Sequence, residues 1–202
     1  MPPGALNGDP MKTGVHWIVV VFVLGSTTSF AEEACKPAPL PSPAVSLSQF
    51  YETAEAKAKA WKADAAPARL GNSVLGPIDA QGRSTSWSML FYSEAADAHV
   101  AINAVGGMMT CWDNEGSAGR MPALASTFFR DGAKLYEIAR TEGGDYIARG
   151  YGVIAQTAAA DDRHGTWNLS FTMQEESGQT KSGDVTIIVD ANTGKLENVL
   201  RN

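Results

Sequence analysis

Two short stretches decide how this chain is read: Ser86-Trp87-Ser88-Met89-Leu90-Phe91-Tyr92 and, further on, Thr166-Trp167-Asn168-Leu169-Ser170-Phe171-Thr172. From each tryptophan onward every second residue is large and apolar, the period of a strand with one face buried. Trp87 and Trp167 lie 80 positions apart, as do Phe91 and Phe171, Val74 and Ile154, and Ala68-Arg69 and Ala148-Arg149. A later strand is offset by 85, Val100 against Val185 and Ile102 against Ile187, with the extra five residues in a turn. Turns are where a structural repeat tolerates insertion.

Each stretch follows a helical segment. Ser46 with Gln49 forms a capping box, and Leu47, Phe50, Tyr51, Ala54, Ala58, Trp61 and Ala65 share one face behind it. Pro67 and Gly71 are expected to stop this helix. Asp131 to Arg149 is helical again, carrying Leu135, Ile138 and Ala139 and weakened at Gly143-Gly144. Strands are expected at Val74–Ile78, Ser86–Tyr92 and His99–Val105, then at Gly152–Thr157, around Trp167–Phe171, at Val185–Val189 and at Leu196–Leu200. The expected fold is α+β: two tandem repeats of a helix packed on a three- or four-stranded antiparallel β-meander. The repeats span 46–112 and 127–202, joined by a Gly/Ser/Pro-rich linker at 113–126.

Ahead of them, Lys12, the apolar run Trp17 to Leu24 and the small-x-small site Ser29-Phe30-Ala31 have the order of a secretory signal peptide over 1–31. The run is about half the roughly 20 residues a membrane span needs, so no anchor is expected after cleavage. Residues 32–45, with Pro37, Pro39, Pro41 and Pro43, read as an extended tether. The expected location is periplasmic or secreted. A net charge of −6 without a Lys/Arg cluster excludes nucleic acid as a partner. In an oxidising compartment Cys35 and Cys111 are most simply a disulfide, worth roughly 4 kcal/mol in a chain-entropy account. Two free thiols, one in the tether and one at a strand end, are the alternative.

The order helix, strand, Asp/Gly turn, Trp-led strand and closing strand resembles a PepSY-type domain. The likeness is clearest from Trp167 to Ile188-Val189-Asp190-Ala191-Asn192-Thr193-Gly194-Lys195, whereas the first half has Ala104-Val105-Gly106-Gly107 at the corresponding turn. The resemblance implies an exported or membrane-exposed protein. Some members of that family sit in the propeptides of secreted peptidases, where they inhibit the enzyme or assist its folding. It carries over no catalytic residue.

The chemistry-bearing residues are few. His99 and His164 are the histidines beyond the leader, and neither belongs to a nucleophile, metalloprotease or phosphate-loop motif. Met108, Met109 and Cys111, with Met121 across the linker, form a candidate soft-metal or ligand site, since thioethers and thiolates suit Cu(I). A disulfide at Cys111 would remove the thiolate. Asp190-Ala191-Asn192-Thr193-Gly194 reads as a hairpin turn, because it lacks the later acidic ligands of a calcium loop. Trp61, Trp87, Phe91, Trp167 and Phe171 are expected in the core. The expectation is therefore a non-catalytic binding or regulatory module with no cofactor and no metal, engaging a protein partner such as a peptidase or an envelope component. A periplasmic small-ligand or copper-binding protein is the alternative.

Overall fold

Alternation governs most of the chain, and all but two of the described strands it produces join into one sheet. The computed structural model describes residues 35–114, 121–160 and 164–201, so the leader at 1–31 lies outside the described residues. In chain order the strands are β1 (Ala38–Pro39), β2 (Val45–Ser46), β3 (Ala66–Asn72), β4 (Arg83–Ser84), β5 (Ser86–Ser93), β6 (Ala98–Val105), β7 (Met108–Asn114), β8 (Gly152–Ala160), β9 (His164–Gln174), β10 (Thr180–Asp190) and β11 (Leu196–Arg201). The helices are α1 (Leu47–Trp61) and α2 (Gly132–Ala148). Nine strands form one antiparallel sheet in the order β1-β7-β6-β5-β3-β8-β9-β10-β11, and β2 pairs with β4 apart from it.

α1 starts where its cap dictates. The Ser46 hydroxyl accepts from the Gln49 amide at 3.3 Å, and the Gln49 side chain accepts from the Ser46 amide at 3.2 Å. Leu47, Phe50, Tyr51, Ala54, Ala58 and Trp61 are its buried face. α2 is capped by Asp131, whose carboxylate accepts from the Lys134 amide at 3.0 Å. It kinks at Gly143, which lies against the Phe171 ring so closely that any Cβ there would collide with it. Both helices lie on the sheet face that carries Trp87, Phe91, Trp167 and Phe171, and their apolar residues belong to one continuous core. The buried indoles of β5 and β9 also tie down the chain entering a helix. Trp87 Nε1 donates to the Val45 carbonyl at 2.9 Å, and Trp167 Nε1 to the Phe129 carbonyl at 3.0 Å.

The expectation of two repeats, each a helix on its own three- or four-stranded meander, is corrected here. The chain is mostly antiparallel β, with a nine-stranded sheet and two helices among the described residues. The physical reason is the pairing of β3 with β8, which joins strands from the two halves and leaves no boundary between two sheets. The expected strand at Val74–Ile78 is also displaced. Its place in the sheet is taken by Ala66–Asn72, where Pro67 and Gly71 read as helix stops, and Ile78 makes only an isolated bridge to Val153.

The β3–β8 junction is built differently from the other ladders. Gly71 opposite Gln156 is its one strand-to-strand register pair, whereas β5 and β6 share eight. Side chains supply the rest. Thr157 Oγ1 accepts from the Leu70 amide at 2.8 Å and donates to the Leu70 carbonyl at 3.2 Å. Asn72 Oδ1 accepts from the Ala155 amide at 2.7 Å, while its Nδ2 donates to the carbonyls of Gly76 (2.8 Å) and Val153 (3.3 Å). Both side chains are buried, at 3% and 4% exposure, and in register they sit beside Trp87 and Trp167.

Removing either group leaves buried backbone polar atoms without partners, at about 1–3 kcal/mol per group. Asn72→Ala and Thr157→Val should each lower the unfolding free energy by an amount of that order, read as a lower urea midpoint with an unchanged m-value. Equal stability of both variants and the parent would show that the junction does not depend on these side chains. Trp167→Ala should cost about 3–5 kcal/mol, read by the same unfolding curves.

Candidate functional site

The side chains that alternate away from the helices form the second face of the sheet. One lateral row can be followed strand by strand through the register: Thr110, Asn103, Ser88, Gly71, Gln156, Asn168, Ile188 and Asn198. With Ile188 the exception, the row holds small or amide and hydroxyl groups. Thr110, Ser88 and Gln156 are exposed, and Asn103 and Asn168 half-buried.

Where this row crosses the β3–β8 junction the surface dips into a groove of about 540 Å³. Gly71 forms part of its floor, and a Cβ there would come within 2.8 Å of Gln156 Cγ. Ser88, Leu90, Gln156 and Asn168 line it together with Arg69, the one charged residue in the lining. Arg69, Ser88, Gln156 and Asn168 form no side-chain hydrogen bond or ion pair with any described residue. Such groups contrast with Asn72 and Thr157 just beneath, whose polar atoms are engaged. An open polar groove of this kind can take up hydrogen bonds from a partner without first breaking its own.

A second row runs parallel to the first: Trp112 opposite Ala101, Ala101 opposite Leu90, and Leu90 opposite Arg69. Trp112 is 69% exposed, while Trp61, Trp87 and Trp167 are buried. A large aromatic ring left in solvent beside a polar groove is a recognisable binding feature, since tryptophan is enriched among residues that dominate interfaces.

The residues singled out from sequence are distributed around this face. Trp61, Trp87, Phe91, Trp167 and Phe171 are all buried in the core. Cys35 and Cys111 are joined as a disulfide, with Cα atoms 5.0 Å apart. Met109 and Cys111 project toward the core side of β7, Met109 buried and Cys111 half-buried, whereas Met108 projects to the exposed side. Met121 is half-buried in the segment leading to α2. The three methionines and the cysteine are thus not presented on a common face, and the Cys111 sulfur is committed to Cys35. Among the described residues no three His, Cys, Asp or Glu side chains cluster as metal ligands. His99 is in β6 and His164 opens β9, four strand spacings or about 19 Å apart across the sheet. Asp190 closes a turn on itself: its Oδ1 accepts from the Asn192 amide (3.1 Å) and from the Thr193 amide (2.6 Å) and hydroxyl (2.7 Å), with Gly194 at φ +69°.

The groove residues Arg69, Gly71 and Gln156 carried no sequence motif. The available signal was Gly71, since a glycine inside a strand marks a close approach of another backbone or side chain. No family model, no curated protein and no solved structure matches this chain. The disulfide is compatible with an extracellular location, and no described helix is long and apolar enough to cross a membrane.

The disulfide holds the segment from Cys35 against the sheet edge, where Ala38 and Pro39 pair with Met109 and Met108 and the Leu40 amide donates to the Gly107 carbonyl at 2.8 Å. Replacing both cysteines by alanine should lower stability by up to about 4 kcal/mol. Amide exchange should accelerate at Met108–Asp113 before it does at β9. Uniform acceleration across the sheet would mean that the bridge acts on the whole fold rather than on this edge.

Proposed function

We propose that this protein is an exported, non-catalytic binding or regulatory module that engages another protein through the open face of its sheet. The observation that carries the reading is the row of unengaged polar side chains over the β3–β8 groove, with Trp112 exposed on the same face. Export is supported by the signal-like order of residues 1–31 and by a disulfide compatible with an oxidising compartment. The PepSY resemblance supports a peptidase or another envelope component as the partner class, because some members of that family inhibit or assist the peptidases they accompany. The groove's volume supports a second reading, a small organic ligand held above Gly71.

Photo-crosslinking in the export compartment separates the two. A benzophenone amino acid at Asn103, on the open face, should capture a discrete protein, while the same probe at Glu52, on the exposed side of α1, should not. Equal capture from both positions, or none from Asn103 with a small molecule retained in native mass spectrometry, would overturn the protein-binding reading.

A further inference from the structure

The open face is almost uncharged around its groove, which makes the single charge there informative. The chain carries a net charge of −6, yet the one charged residue lining the groove is a cation, Arg69. It is exposed, and no carboxylate of a described residue lies within ion-pair distance of it. An acidic protein has many carboxylates with which to neutralise an arginine, and here none is used. The guanidinium fork matches a carboxylate with two parallel hydrogen bonds, and Ser88, Gln156 and Asn168 around it offer further donors.

Trp112 lies three strands away along the row Arg69, Leu90, Ala101, Trp112, a separation of about 14 Å. The two residues between are apolar, so the strip has a cation at one end, an aromatic ring at the other and a smooth floor. We propose that the protein partner lays a segment across the strands and presents a carboxylate side chain to Arg69 and an apolar side chain to Trp112. In extended chain the two lie about four residues apart. This rests on the open-face reading and adds the chemistry of the partner. Charge complementarity sets the occupant: the groove selects an acidic segment from among the surfaces an envelope protein can offer. Because the segment crosses the strands, recognition is through side chains and does not extend the sheet.

The test is selection of a random dodecapeptide phage library on the purified, oxidised protein, followed by affinity measurement with synthetic peptides. Selected peptides should be enriched in Asp or Glu with an apolar residue about four positions away. Arg69→Gln and Trp112→Ala should each weaken them by about tenfold or more. The melting temperature of Arg69→Gln should be unchanged, since its side chain is exposed and forms no hydrogen bond or ion pair with a described residue. Peptides without acidic enrichment, or bound equally well by Arg69→Gln, would overturn the carboxylate proposal. If Trp112→Ala or Ser88→Arg still abolished their binding, the open-face reading would survive that result. Binding indifferent to all three substitutions, or no selected peptide at all, would overturn both. Free succinate binding at micromolar concentration and displacing the peptides would make the natural occupant a small acid, and the partner-segment proposal would fail.

Discussion

The sheet holds together because two buried polar side chains do the work of a backbone ladder. Between β3 and β8, Asn72 and Thr157 satisfy amides and carbonyls that the strands themselves do not pair. The arrangement is viable because these hydrogen bonds are shielded from water beside Trp87 and Trp167, where a satisfied polar group is stable and an unsatisfied one is costly. Stitching from the core side also leaves the other side of the junction open. The groove on the exposed face is the counterpart of the side-chain bonds on the buried face.

The rest of the architecture is arranged around that junction. The two indoles that flank it also hold Val45 and Phe129, so the segments feeding both helices are anchored to the strands next to the seam. Phe128 packs its ring 5.1 Å from Tyr51 and 6.3 Å from Trp167, which links the approach to α2 with α1 across the middle of the core. At the far edge the disulfide and the short β1 cover β7, leaving the exposed face as the broad surface without helices.

Much of the local structure was legible in the residues. The Ser46–Gln49 capping box sets the start of α1, the alternation from Trp87 and Trp167 sets two strands and their buried faces, and Asp190 to Gly194 forms the turn its composition implies. What misled was the level above. An 80-residue spacing suggested two separate units, because spacing reports similarity of parts and says nothing of how edge strands meet. β3 was hidden by Pro67 and Gly71, which look like breakers: Pro67 is accommodated at a register shift before Arg69, and Gly71 makes room for Gln156. Asn72 and Thr157 carry no pattern that distinguishes them from ordinary polar residues of a strand end. The candidate site was harder still. Arg69, Ser88 and Gln156 come from three strands and meet only once β3 and β8 are side by side. The conspicuous stretch Met108–Trp112, by contrast, divides between two faces of one strand.

The junction also has a consequence in time. β3 is complete long before β8 exists, since α2 and the segment ahead of it must be made first. The covalent loop from Cys35 to Cys111 can close around α1, β3, β5, β6 and much of β7 while β3 remains an unpaired edge. An emerging chain therefore exposes a strand whose natural neighbour is still to come, and a free edge accepts any compatible strand. The β8 of another copy presents the same strand as its own, so crowded chains whose β3 is still open can exchange their C-terminal halves. Asn72 and Thr157 read only side chain and backbone, and they do not distinguish the two outcomes.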